Sequence, residues 1–199
     1  MIKGIHYYSG LTLAVFVGLH LLNHLMVLHS ETLHINFMRV ARKIYRQPVI
    51  EGLLLLAVAL QIFTGTSLVI RKWPGAESWY DWAHIGSGIY LALFLINHVK
   101  AVITGRRKLH IDTDLYYGAG VMNMWPHKLF YIPYYALAIL SFFIHVACIH
   151  REKMLQFVSL VSAEIQSSGI MAMGCVVTFL VIYRMSRLKM PAGLTKSGG

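Results

Sequence analysis

Charge is scarce in this chain, and acid scarcer still: of 199 residues 13% are charged, with 8 Asp and Glu against 18 Lys and Arg. A soluble domain carries about 25% charged residues. With 57% hydrophobic residues and a mean hydropathy of +0.59, the chain is excluded from the soluble globular, disordered, collagen-like and low-complexity classes. Cysteine is nearly absent. Cys148 and Cys175 stand singly in apolar stretches, with neither a Cys-x-x-Cys metal pair nor the Cys-x-x-Cys-His of covalently attached haem, and both read as packing residues. There is no His-Glu-x-x-His. No polar stretch is long enough for a separate soluble catalytic domain, so any chemistry belongs inside a membrane or on a partner. The opening Met-Ile-Lys-Gly runs straight into apolar sequence without a small-residue cleavage site, which reads as no removable signal. The net charge of +10 would raise nucleic acid for a soluble protein. Here basic residues flanking membrane spans are topology signals instead, and no nucleic acid is expected.

What the chain does have is long apolar runs. Five windows stand out, at about 5–28, 49–70, 82–103, 129–149 and 169–183, the last with a start that can reach back into the amphipathic stretch 154–166. About 20 apolar residues cross a bilayer as a helix, and backbone polar groups in hydrocarbon must be satisfied internally. The expected fold is therefore an all-α membrane protein, a single domain over residues 1–199 with five transmembrane helices in a bundle. Tyr7, Tyr8, Trp73, Trp79, Trp82, Trp125 and Tyr183 fall near span ends, where aromatic belts form. The N-terminus and the second and fourth loops hold five basic residues, Lys3, Arg71, Lys72, Arg151 and Lys153; the other side holds the remaining thirteen. The positive-inside rule then places the N-terminus outside and the C-terminus in the cytoplasm.

An internal repeat carries histidines. HYYSGLTLAVFVGLH from His6 to His20 and HIGSGIYLALFLINH from His84 to His98 match at seven of fifteen positions, at an offset of 78 residues. The matches are His6/His84, Ser9/Ser87, Gly10/Gly88, Leu13/Leu91, Ala14/Ala92, Phe16/Phe94 and His20/His98. The repeat falls in the first and third spans, which run parallel, so equivalent residues lie at equal depth. Ser9, Leu13, Phe16 and His20 follow one helical stripe, as do their counterparts.

Two neutral imidazoles on opposite sides of an apolar slot are what a bis-histidine haem b site requires, and His20 and His98 are the candidate iron ligands. Ionisable groups inside membranes are functional by default; the plainer alternative is that these histidines bond between helices. Zinc wants about four short bonds at one point, and the matched pair has no acid beside it. His20 and His24 have metal-clamp spacing, yet the counterpart of His24 is Val102. His84 and His145 share the other membrane level with His6, ~21 Å from His20 and His98 by helix rise, and form a candidate second pair; the alternative is interfacial and helix-bonding roles. Glu51 opens the second span just after Pro48, on the side of His20 and His98. It is a candidate for proton exchange with a quinone, since desolvation raises a carboxyl pKa, or else an acid stabilised by the helix dipole.

These residues resemble the haem-carrying, cytochrome b-type membrane anchor subunit of the succinate dehydrogenase/fumarate reductase family, in its five-helix, single-chain form. Ser9-Gly10 with His20-Leu21 is similar to that family's opening helix, Ser87-Gly88 with His98-Val99 to its third, and His145 lies where its fourth ligand falls. The resemblance covers roughly the first four spans. It implies electron transfer between quinone and a partner, with iron–sulfur and flavoprotein subunits docked on the anchor, in a bacterial cytoplasmic (inner) membrane. Two departures stand. Two-haem members take a ligand from each of the first four helices, and the second-helix position here is Gln61, followed by Gly65. The family also keeps its N-terminus in the cytoplasm, opposite to the charge count. The expected function is a membrane b-type cytochrome carrying at least one haem b, with quinone as substrate and no catalysis of the organic reaction in this chain. The alternatives are a haem-free anchor or assembly protein with structural histidines, and a transporter with a His/Glu proton path.

Overall fold

The computed structural model describes residues 1–157 and 161–191. Among them are seven α-helices: α1 (Ile2–Met26), α2 (Glu31–Tyr45), α3 (Pro48–Lys72), α4 (Trp79–Arg107), α5 (Leu115–Asn123), α6 (Lys128–Met154) and α7 (Ala163–Met185). A 3-10 turn, Trp73–Gly75, extends α3. Five of the helices, α1, α3, α4, α6 and α7, are long and apolar enough to cross a membrane, as an integral membrane protein requires.

The five expected windows thus fall on helices, each of them longer than its window at one or both ends. The extension is physical: a charged or capping residue ends an apolar window but not a helix. Ser78 opens α4 with a capping box, its hydroxyl accepting from Asp81 N at 3.1 Å while Asp81 Oδ2 accepts from Ser78 N at 3.1 Å. Pro48 takes the first turn of α3, where a missing N–H costs nothing. Ser162 accepts from Ile165 N, so α7 begins at Ala163 rather than near residue 169.

The other two helices lie in stretches read as loops. Ser30 caps α2 by accepting from Leu33 N at 3.0 Å, and Asp114 caps α5 through Tyr116 N and Tyr117 N. α2 buries His34 and Met38 and turns Arg39 and Lys43 outward. Such an amphipathic helix averages to little net hydropathy, so a search for apolar windows passes over it.

The spanning helices form a ring. α1 packs on α3, α3 on α4, α4 on α6, α6 on α7, and α7 returns to α1. α1 and α4 therefore sit diagonally across the centre, and α3 and α6 take the other diagonal. Side chains fill one end, where Leu21, Val27, Leu115, Ala119, Met122, Ile139, Phe143, Val181, Met185 and Leu188 make a buried cluster. α6 and α7 approach so closely that a Cβ on Gly174 would overlap the Phe143 side chain. Between α1, α3, α4 and α6 the centre is a cavity of about 2010 Å³. Native interiors leave few voids larger than a water molecule, so a space of this size marks the centre of the bundle as the candidate site.

Candidate functional site

Between charged residues at its two ends the cavity wall is mostly apolar, with two levels of polar side chains. At the first, His20 on α1 and His98 on α4 face each other across the diagonal, with ring centroids 6.3 Å apart and planes at 66°. Each ring is held from behind by the aromatic one turn earlier. Phe16 stacks on His20 at 6.2 Å and 14°, and Phe94 on His98 at 5.2 Å and 15°. All four residues are repeat matches, so the repeat encodes a wall of the cavity and not only a pair of letters.

Two further histidines continue from His20. His24 Nε2 lies 3.2 Å from His20 Nε2, and the His24 and His34 rings are 5.3 Å apart. His34 Nδ1 donates to the Asn23 carbonyl at 2.7 Å. His24 Nδ1 is buried with no hydrogen-bond partner among the described residues. Among those residues, no group of three or more His, Cys, Asp or Glu side chains is arranged to hold a metal ion. A site needing two protein nitrogens is not limited by this.

Cations crowd the same end. Arg106 makes a two-pronged contact with Glu51, Nη1 to Oε1 at 3.0 Å and Nη2 to Oε2 at 3.2 Å, with side chains 26% and 18% exposed. Glu51 is thus tied to the end of α4 by a bidentate pair, the strong form of a charged hydrogen bond. Arg42 pairs with Asp112 at 2.8 Å and donates to the Thr113 carbonyl. Arg46 donates to Thr113 Oγ1, and burial with the guanidiniums of Arg42 and Arg106 pushes its pKa down from the usual value. Arg46 and Arg106 both line the cavity.

At the second level the rings are placed differently. His84 and His145, on adjacent helices of one wall, touch at 4.6 Å between centroids. Ser87 donates to the His84 carbonyl at 3.1 Å, and its hydroxyl lies 3.3 Å from His145 Nδ1. The His145 ring sits over Gly88, where a Cβ would come within 3.2 Å of Cε1. Across the cavity Ser9 donates to the Ile5 carbonyl at 2.7 Å, with its hydroxyl 3.1 Å from the Gln61 side-chain amide, and the tip of Gln61 would be 2.7 Å from a Cβ on Gly10. His6 Nδ1 bonds Thr64 Oγ1 at 2.9 Å above Gly65.

Ser9-Gly10 on α1 receives Gln61 from α3, just as Ser87-Gly88 on α4 receives His145 from α6. The repeat therefore reaches into the second helix of each half, which the fifteen-residue match does not reveal. The structure brings His20 and His98 together, puts His84 with His145, and pairs Glu51 with Arg106. His24 was weighed with His20 and set aside, and the contacts of Arg46 and Arg106 were not anticipated. For the arginines the sequence signal was their position beside spans, which topology alone had explained. The two cysteines carry free thiols, Cys148 buried and Cys175 exposed.

No protein-family model matches the chain, no curated protein matches it, and no solved structure matches it.

Proposed function

We propose that this protein is a membrane-embedded b-type cytochrome that exchanges electrons between a quinone and a partner redox subunit, held by His20 and His98 around one haem b. The carrying observation is the 6.3 Å between those two ring centres across an apolar cavity. Two imidazoles on opposite sides of one metal, with bonds of about 2.0–2.1 Å, have ring centres roughly 6–6.5 Å apart. The donor set fits the group: two imidazoles, the nearby acid Glu51 tied to Arg106, flat aromatic and aliphatic walls, and space for the macrocycle. When bound, a haem b supplies one-electron redox chemistry. His20 and His98 would hold the group through their ring nitrogens, with Phe16 and Phe94 packed against those rings. Arg46 and Arg106, which line the same cavity, would offer positive charge to its carboxylates. The apolar walls exclude water, which lowers the local dielectric and keeps the imidazoles neutral. Resemblance to the anchor subunit of succinate dehydrogenase and fumarate reductase supports iron–sulfur and flavoprotein partners, to or from which the electrons of a quinol pass. The positive-inside distribution supports a cytoplasmic C-terminus.

The competing reading, a haem-free anchor, draws on the direct contact of His20 with His24 and of His84 with His145. One measurement separates them. Protein purified from cells with ample haem is expected to show a low-spin, extractable haem b in a reduced-minus-oxidised spectrum, and His98→Ala to lose it. A haem-free wild type, or a His98→Ala variant with an unchanged spectrum, overturns the proposal.

A further inference from the structure

The end of the bundle that carries α2 holds more positive charge than its acids neutralise. Four of the eight acids lie there, Glu31, Glu51, Asp112 and Asp114, and each is engaged. Glu51 is held by Arg106 and Asp112 by Arg42; Glu31 accepts from Tyr116, with Arg184 at 3.9 Å. Asp114 caps α5. Arg39 and Lys43 on α2, and Arg107 and Lys108 at the end of α4, are exposed. None of these four side chains has a hydrogen-bonding or ionic partner among the described residues. Arg42 on Asp112 and Arg46 on Thr113 bind the segment after α4 to the flank of α2, which brings the four cations to one end.

The surface of α2 divides into three faces. His34 and Met38 are buried toward the bundle. Leu33, Val40 and Ile44, at helical spacings of seven and four, form a second face and are 41%, 63% and 60% exposed. Asn36, Arg39 and Lys43 form a third beside it, because residues three and four apart are neighbours on a helix surface. An apolar stripe bordered by a cationic one is the pattern of a helix lying in a membrane interface. The place of α2 agrees. It joins the end of α1 to the start of α3, two helices long and apolar enough to cross a membrane. Exposed apolar side chains resume on α3 at Val49, Leu53 and Leu56, and stand next to Arg107 and Lys108 as Leu109 and Ile111.

We infer that α2 and the segment 107–111 form a docking surface for anionic phospholipid. Arg39, Lys43, Arg107 and Lys108 receive the phosphates, and Leu33, Val40 and Ile44 lie among the upper carbons of the acyl chains. Charge selects the head group. A zwitterionic lipid brings a cation of its own to a surface with four unpaired cations and no free acid among the described residues. The apolar stripe selects the source, since a soluble anion would leave Leu33, Val40 and Ile44 in water. The inference needs only a chain that spans a membrane, and it is independent of haem.

The test titrates the full chain in detergent with phosphatidylglycerol or phosphatidylcholine and reads each bound lipid by native mass spectrometry. Phosphatidylglycerol is expected to bind more tightly. A cation near an anionic surface contributes about fivefold in affinity, so Arg39→Gln with Lys43→Gln is expected to weaken phosphatidylglycerol binding about tenfold or more. Arg107→Gln with Lys108→Gln is expected to act likewise and gives an independent reading. Val40→Ser with Ile44→Ser is expected to weaken binding at unchanged charge. Lys3→Gln with Arg71→Gln removes the same charge from exposed positions at the opposite end and is expected to leave binding unchanged. Haem content is expected to be the same throughout. Equal affinity for the two lipids overturns the inference and leaves the surface to an acidic protein. Binding indifferent to both cation pairs on α2 and α4 overturns it too, as does equal weakening by the Lys3/Arg71 pair. Displacement of the lipid by an equal concentration of inorganic phosphate would make this a site for a soluble anion and overturn it as well.

Discussion

At the residue scale the two proposed iron ligands are not equivalent. His20 has a second imidazole one turn away, its Nε2 at 3.2 Å; the same position after His98 is Val102. An iron held by His20 would displace that contact, and His24 would then stand beside the site as a spare ligand. His20→Ala is therefore expected to keep a reduced fraction of low-spin haem, and His20→Ala with His24→Ala to keep none. Electron paramagnetic resonance of the oxidised proteins reads the difference. A His20→Ala signal absent as fully as in His98→Ala would show that His24 is structural. The facing of His20 and His98 was legible in the sequence because duplication repeats a letter at a fixed offset on parallel helices. His24 was set aside for want of a counterpart, although helix geometry alone puts residues i and i+4 side by side.

Among the elements, α2 shows how an uncharged histidine can hold an end of the bundle. Its one deeply buried polar side chain is His34, 2% exposed, with Nδ1 on the Asn23 carbonyl of α1. Burial pushes the His34 pKa down. The unfolded chain then takes up a proton that the folded chain refuses, so stability falls as pH drops below about 6.5. Thermal unfolding in detergent is expected to lose stability from pH 7 toward pH 5, and to lose less of it in His34→Gln. Removing the ring altogether, in His34→Ala, is expected to cost about 1–3 kcal/mol at pH 7, since the Asn23 carbonyl is left without a donor. Equal pH slopes for wild type and His34→Gln would place the titration elsewhere. Nearby, Tyr116 on α5 donates to Glu31 at 2.7 Å and Arg184 of α7 to the Val27 carbonyl at 3.1 Å. These bonds join α1, α2, α5 and α7 at one end, and no local sequence window contains them.

Over the whole molecule, charge is divided between two ends. Arg42, Arg46, Arg106 and Arg184 gather with α2 and α5 beside His20 and His98, and their acids are Glu31, Glu51 and Asp112. The opposite end has fewer cations, with Lys72 on Asp81 at 2.8 Å and Arg151 on Glu164 at 2.9 Å. If the crowded end is cytoplasmic, as the positive-inside rule has it, a reporter fused after the last residue is expected to be active in the cytoplasm. Activity only on the exterior would reverse the orientation and restore the one usual in the anchor family.

The sequence by itself determined that the chain is built of helices long and apolar enough to cross a membrane, because 20-residue apolar runs have no other stable form in hydrocarbon. It also determined that His20 and His98 stand at one depth, because parallel helices carrying a repeat must place equal letters at equal heights. Only the tertiary structure decided which helices are diagonal. That order makes His20 and His98 face across a cavity while His84 lies against His145 on one wall. It also sets Gln61 opposite His145, giving the second level an amide and an imidazole in place of two imidazoles. Helix order around a ring depends on packing between segments far apart in the chain, such as Gly174 under Phe143 and Gly88 under His145. Those contacts are fixed by shape, which periodicity and composition do not record.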